Sequence, residues 1–404
     1  MKKKIIDISI KHWHDRFTGI SALDIAEKLD ISHEETLRYL EELKNENKGT
    51  LNENVTLYQI SLDLNSKNSD FKLPEPKPVT THIYFPSKSM LETYFQNNLK
   101  EFIENGEYTN RLHRGGNQIE LIYFDIKVLA KYFDNKEIYS IDDDVTGGVI
   151  RLNSDYITTL SEKEIDKIFF DKIRYGKRKL TNNNISVSAI LNDLSGLNKR
   201  EQSYWYGFEI EDDDFSSHDE DFSRFVSRAY YGNWTDSNDP IQDIKITIEE
   251  LNNIFPFKLF AKSENPYLRY PINNTFKEFV DCNSELYKLI GPDNIKLSKL
   301  KKIYTKYLNG SSDFIHKESK RPFSSMQVMD LILNKIDKRF AVIFKTHLEK
   351  VKQNRIEGDH KITLPHQNKM NYIKEFKQIC YDSKTILMNL KIEYKKLTEC
   401  NTQS

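Results

Sequence analysis

The chain has 404 residues, of which 30% are charged and 38% hydrophobic, with 22 Tyr, 23 Phe and a formal net charge of -1. That length exceeds what one hydrophobic core serves, so two or three domains are expected, while a mean hydropathy of -0.66 and the lack of a long uncharged apolar run exclude a membrane-spanning protein. Cys282, Cys380 and Cys400 have neither the number nor the spacing of a disulfide framework or a zinc site. The opening "MKKKIIDISIKHWHDRF" is interrupted by Asp7 and Lys11 before an export signal forms, so the expectation is a cytoplasmic protein with no cofactor and no metal.

The near-zero total hides a division. Residues 294–404 carry 23 Lys plus Arg against 11 Asp plus Glu, leaving 37 against 50 for residues 1–293. A field of that sign over the last third concentrates polyanions, which makes nucleic acid the leading partner, and a basic segment docking on acidic parts of the same chain would use the same charges.

In chain order, Leu23, Ile25, Ala26 and Leu29 predict a short helix, Asp30-Ile31-Ser32 a turn with Ser32 as cap, and Leu37, Leu40 and Leu43 the apolar face of a second helix. Gly49-Thr50-Leu51 and Val55-Thr56-Leu57-Tyr58, joined through polar Asn52-Glu53-Asn54, read as a hairpin. This pattern over residues 1–65 resembles the winged helix-turn-helix family. The helix that would read DNA, "HEETLRYLEELKNEN", offers Arg38 and Lys44 to phosphates but sets Glu34, Glu35, Glu41, Glu42 and Glu46 beside them, so DNA reading and protein contact both stay open. Residues 66–80, from "NSKNSDFKLPEPKPVTT", alternate proline with charge and read as a linker.

Residues 81–271 mix both periodicities. "THIYFPS", "KEIYSIDDDVTGGVIRLN", "NISVSAIL" and "SYWYGFEIE" read as strands. "SMLETYFQNNLKEFIE", "FDIKVLAKYF", "SEKEIDKIFFDKI" and "IQDIKITIEELNNIF" read as helices, giving an α+β domain suited to a sensor or regulatory role. Two acidic runs, Asp142 to Asp144 and Glu209 to Asp221, are expected to be solvated loops and not a cation site. In "RYGKRKL", Arg174, Lys177 and Arg178 are candidates for phosphate contact or members of an ordinary basic turn.

Residues 272–404 carry apolar residues at three- and four-residue steps in four stretches, one of them running 325–353 as a single long helix, and so predict a basic all-α bundle. After the long helix, Arg355 and His360 stand with four residues between them. An imidazole exchanges protons near neutrality and a guanidinium matches phosphate oxygens. The spacing resembles the Arg-x4-6-His signature of the HEPN superfamily, whose enzymatic members are all-α, metal-independent endoribonucleases. The resemblance implies a homodimer in which two copies of the pair meet in one cleft, His360 acting on the 2′-hydroxyl or leaving oxygen and Arg355 neutralising the phosphorane. Lys352 and His347 are candidates for the same groove. The chain as a whole is therefore expected to be multidomain α+β, with a winged helix, a mixed middle domain and a C-terminal bundle. The expected function is an RNA-cleaving toxin or antiviral effector controlled by a protein trigger or inhibitor. The alternative is a non-enzymatic nucleic-acid-binding regulator that contacts DNA through Arg38 and Lys44.

Overall fold

The computed structural model describes residues 1–59, 77–164, 172–181, 184–211, 215–216, 219–233, 239–272, 274–316, 319–360 and 371–402, with the side chains of 59, 356–360 and 400–402 excepted. The architecture is mixed α+β with a helical C-terminal region. The chain divides into two compact units, one of Met1–Tyr123, Ser154–Ile173 and Ala189–Glu209, the other of Phe124–Asn153, Arg174–Ser188 and Ile210–Ser404.

The first unit opens with α1 (Lys2–Arg16), β1 (Ile20–Ser21), α2 (Ala22–Leu29) and α3 (His33–Asn45). Both short helices begin where a serine can satisfy a free N–H: Ser21 Oγ accepts from Asp24 N at 3.0 Å and Ser32 Oγ from Glu35 N at 3.1 Å. Ile5, Ile20, Ile25, Leu40, Leu43 and Tyr84 close one core beneath them. β2 (Gly49–Gln59) and β3 (Lys77–Pro86) complete an antiparallel sheet in the order β1-β3-β2.

Here the expected hairpin within residues 49–58 is corrected: β2 is one continuous strand paired with β3 from Gly49–Pro86 to Gln59–Lys77. The polar Asn52-Glu53-Asn54 does not turn the chain back, because Asn54 takes a left-handed φ of 55° and the extra residue is absorbed as a bulge between Asn52 and Val55. β3 starts at Lys77, so 77–80 of the expected linker is strand, and its part up to residue 76 lies outside the described residues. Pro78 is tolerated there because β1 pairs only with Ile83 and Tyr84, leaving the other side of β3 unpaired at Pro78.

After α4 (Lys88–Asn97), α5 (Glu107–His113) is clamped by one side chain. Gln202 Oε1 accepts from Tyr108 N and Thr109 N at 2.9 and 3.1 Å, and its Nε2 donates to Leu197 O at 2.7 Å. Gln202 lies on α6 (Lys199–Tyr206), whose second half, 203–206, opens the stretch expected to be a strand. The aromatic content of "SYWYGFEIE" favours a strand, but Asn198 caps the segment through Glu201 N at 2.9 Å and helical spacing buries Glu201, Gln202 and Trp205 together, so packing overrides propensity. The helix expected from "SEKEIDKIFFDKI" falls mostly on 165–171, outside the described residues.

The middle of the chain also supplies β4 (Leu121–Asp125), β5 (Tyr139–Asp143), β6 (Gly147–Leu152), β7 (Ile173–Lys179) and β8 (Ile185–Ile190), hydrogen-bonded in the order β4-β8-β7-β6-β5. The turn between β5 and β6 is held by Asp144 Oδ1, which accepts from Thr146 N and Gly147 N at 2.6 and 3.0 Å. Gly147 has φ of 155° and a Cβ there would lie 2.1 Å from the Tyr175 carbonyl oxygen, so no larger residue fits.

The second unit continues with α7 (Glu220–Tyr231), α8 (Pro240–Ile254), α9 (Phe276–Ile290), α10 (Leu297–Lys302), a π-helical turn (Ile303–Tyr307), α11 (Ser325–Ile336), α12 (Lys338–His360) and α13 (Tyr372–Thr402). α8 packs on α13 and α9 on α12 around one large core. The single helix expected over 325–353 is two helices. Ser324 and Gln327 form a reciprocal capping box at the start of α11, and Asp337, at φ -153° and ψ 111°, breaks the path while its Oδ1 accepts from Arg339 N at 2.8 Å to start α12.

The acidic runs are corrected in part: Glu211 and Glu220 are exposed as expected, and Asp212 to Asp214 lie outside the described residues. Asp143, Asp144, Asp219 and Asp221 are not solvated: their side chains are 6, 16, 4 and 15% exposed. Each has a cation within reach, Lys177 on Asp143 at 2.5 Å, Arg228 on Asp144 at 3.2 Å, Lys179 on Asp219 at 3.6 Å and Lys377 on Asp221 at 3.1 Å. Among the described residues no helix is long and apolar enough to cross a membrane.

Candidate nucleic-acid interface

The last third of the chain is lysine-rich, and in the second unit the fold seats several of those lysines on aromatic rings. Lys299 Nζ lies 5.3 Å from the centre of the Phe257 ring, Lys301 Nζ 5.0 Å from Phe314, Lys306 Nζ 5.6 Å from Tyr307 and Lys335 Nζ 5.5 Å from Tyr304. The rings touch one another in two strings. Tyr304 meets Phe314 edge-on at 5.8 Å, and Tyr307 meets Phe255 at 4.9 Å, which stacks on Phe257 at 5.4 Å. Among the described residues none of these four ammonium groups has a carboxylate within salt-bridge distance.

The π-helical turn makes the arrangement. Ile303 is buried, whereas Tyr304 and Tyr307 are half-buried and Thr305 and Lys306 exposed. A π turn holds one residue more than an α turn and swings the side chains after it, a device found mostly at functional positions. Phe314 is buried at 8% exposure, and the other three rings, Phe257, Tyr304 and Tyr307, are partly exposed, so ammonium groups above them offer charge for phosphates and faces on which bases stack.

Arg355 belongs to the same bundle, its Cζ 5.5 Å from the centre of the Tyr287 ring, where burial raises the phenol pKa by more than the guanidinium lowers it. α12 runs unbroken through Gly358 to His360, so the five-residue step sets positions 355 and 360 about 140° apart around one helix axis. The side chain of His360 is outside those described. Lys352 is exposed. His347 is 8% exposed, with Nε2 2.8 Å from Ser383 Oγ, and burial lowers its pKa. None of the contacts described for the second unit brings Lys352 or His347 to Arg355.

The remaining candidates lie elsewhere. Lys177 is on β7, 8% exposed, its Nζ donating to Asp143 Oδ1 at 2.5 Å and to the Asp144 carbonyl at 2.8 Å. Arg178 sits over the Phe215 and Phe222 rings at 3.8 and 4.9 Å, and Arg174 is half-buried on the same strand. "RYGKRKL" is thus a strand whose basic side chains are engaged by the protein, not a basic turn. In the first unit Arg38 covers the Tyr39 ring at 5.0 Å, and Lys44 donates to Glu53 Oε1 at 2.6 Å with Glu41 at 3.8 Å. Glu41, Glu53 and His82 have ligand atoms within 4.8 Å of one another, and the Lys44 ammonium already lies between the two carboxylates, 2.6 Å from Glu53 and 3.8 Å from Glu41.

The sequence reading identified the basic character of residues 294–404 but not the lysine–ring pairs. Phe257 precedes Lys299 by 42 positions, and Tyr304 precedes Lys335 by 31, so only the fold joins them. Comparison with family models, with curated proteins and with solved structures finds no match to this chain.

Proposed function

We propose that this protein is an RNA-binding effector whose second unit grips single-stranded RNA on the lysine–aromatic surface around residues 299–307 and 335. The observation that carries the reading is the pairing of Lys299, Lys301, Lys306 and Lys335 with four aromatic rings and with no carboxylate among the described residues. Lysines otherwise free of acid partners give up bound counterions to phosphates, and partly exposed rings stack on bases of any sequence. In the first unit the element order α1-β1-α2-α3-β2-β3 and the sheet order β1-β3-β2 support the winged-helix reading. The acidic α3, its Lys44 already bound to Glu53, suits contact with a protein trigger or inhibitor better than contact with DNA.

Endonucleolytic cleavage is the stricter version of this reading. Because α12 holds positions 355 and 360 on different sides of one helix, Arg355 and His360 would act together only across a homodimer, each copy supplying one of them.

Anisotropy titration of a labelled oligoribonucleotide tests the proposal. Lys299→Glu/Lys301→Glu/Lys335→Glu should weaken binding at least about tenfold and lower the slope of log K against log salt by about 2, since each phosphate contact on a single strand contributes roughly 0.7. Unchanged affinity and slope would rule the surface out. On the same oligonucleotide Arg355→Ala and His360→Ala should stop cleavage with binding retained, and cleavage persisting in both variants removes the Arg–His chemistry.

A further inference from the structure

Away from the lysine–aromatic surface, the second unit encloses a cavity of about 310 Å³. Its lining includes apolar Ile126, Val145, Ile185, Pro271, Ile373 and the ring of Tyr270. The same lining carries four lysines, Lys177, Lys179, Lys374 and Lys377, with Asp221 the one lining carboxylate among the described residues.

The charges do not cancel. Lys177 is neutralised by Asp143, and Lys179 and Lys377 share Asp221, at 3.5 and 3.1 Å, with Asp219 a further 3.6 Å from Lys179. Lys374 has no carboxylate partner among the described residues and is exposed. It stands on the first turn of α13, where Asn371 Oδ1 accepts from Lys374 N at 2.9 Å and Asn274 Oδ1 from Tyr372 N at 2.6 Å. The N-terminal end of this 31-residue helix adds partial positive charge to the same rim.

A cavity lined this way is not suited to inorganic anions alone, because burying its apolar half contributes only if the ligand carries an apolar or aromatic body. It is also at the lower end of the roughly 300–1,000 Å³ typical of small-molecule sites, which a polymer does not fill. We infer that this cavity is a binding site for a free nucleoside phosphate, the base against Ile126, Val145, Ile185 and Tyr270 and the phosphate at Lys374, Lys377 and the N-terminus of α13. The inference does not rest on RNA binding: no lysine of that surface lines the cavity. Lys177 holds the floor through Asp143, and the two ammonium groups on Asp221 keep N–H donors for the incoming phosphate.

Calorimetry on the full chain tests it, with adenosine and guanosine 5′-mono- and triphosphates, inorganic phosphate, adenosine, and a 5′-phosphorylated oligoribonucleotide as probes. At least one nucleotide should bind, with adenosine and phosphate each at least about tenfold weaker, as losing one charge-assisted contact or the apolar half predicts. Lys374→Glu should weaken that nucleotide at least about tenfold through charge, and Ile373→Trp should do so by filling the space. Both positions are outside the core, so retained helical circular dichroism checks the fold. Lys299→Glu/Lys301→Glu/Lys335→Glu should bind the nucleotide like the parent, which separates this site from RNA binding whichever of the two fails. The inference is overturned if no nucleotide binds, if both cavity variants bind like the parent, if phosphate alone binds as tightly, or if the oligoribonucleotide competes at equal affinity.

Discussion

Both units contain close lysine–carboxylate pairs, and they differ in what water does to them. In the first unit Lys2 lies 2.7 Å from Glu42 and from Glu46, and Lys44 2.6 Å from Glu53, all between side chains roughly one third to one half exposed. In the second unit Lys177 meets Asp143 at 2.5 Å with both side chains under a tenth exposed, and Tyr175 donates its hydroxyl to the same Asp143 oxygen at 2.5 Å. Burial pushes the Asp143 carboxyl up even beside the ammonium. Exposed pairs are screened and replaceable by hydration, whereas a buried pair returns its desolvation cost only when both partners stay in place. Distance alone therefore does not rank these contacts; exposure does.

The sharpest way to break the comparison is to remove one buried partner. Asp143→Ala should strand the Lys177 ammonium and cost about 3–5 kcal/mol, read as a fall in the urea midpoint, and a change below about 1 kcal/mol would mean that water reaches the pair.

Acid should weaken the first unit relative to the second. His14 and His113 in the first unit have Nδ1 atoms 2.8 Å apart, and burial pulls each down to about 4. The unfolded chain takes up those protons near 6.5, so the first unit loses stability as pH falls from 6.5 toward 4. Asp239 in the second unit is pushed by burial to about 6. Its folded form takes up a proton before the unfolded form does, so Asp239 adds stability to the second unit as pH falls from 6 toward the ordinary carboxylate value, against the loss brought there by His347, whose pKa burial lowers. Hydrogen exchange at pH 7 and pH 5, corrected for intrinsic rates, should show protection falling in 1–123 relative to 240–254. Asp239→Asn, which keeps the bonds from Ile241 N and Tyr270 Oη, should remove the gain in the second unit alone. Parallel changes in both units would refute the contrast.

The smallest effect is expected at Lys44. Lys44→Ala should leave the denaturant midpoint where it is, and a clear loss of stability would mean that the exposed pair with Glu53 is not screened.

Much of the helical bundle was legible because Phe279, Val280, Leu286, Tyr287, Val328, Met329, Ile332 and Leu333 recur at helical spacing and turn inward together. Asp337 was not legible as a break, since the apolar rhythm of Leu333, Phe340 and Phe344 continues across it and only backbone angles separate α11 from α12. Aromatic content misdirected the reading of residues 203–206, which an Asn198 cap and the burial of Trp205 place in a helix. The acidic runs were misread because charge in sequence carries no sign of its partner: Asp144 finds Arg228 across 84 positions and Asp221 finds Lys377 across 156. Lysine density near residue 300 was plain, but the rings beneath it come from Phe257 and Phe314, on separate segments of the chain.

The π turn at Ile303–Tyr307 amounts to a single surplus amino acid in the last turn of a helix that ends at Leu308. Excising one residue there would restore ordinary winding and turn the remaining residues of that last turn by about 100° relative to α10. Tyr304 and Tyr307 would then leave their neighbours while overall charge and helix content stayed almost the same, so the spacing of this one turn, and not the number of lysines near it, sets which way the rings face.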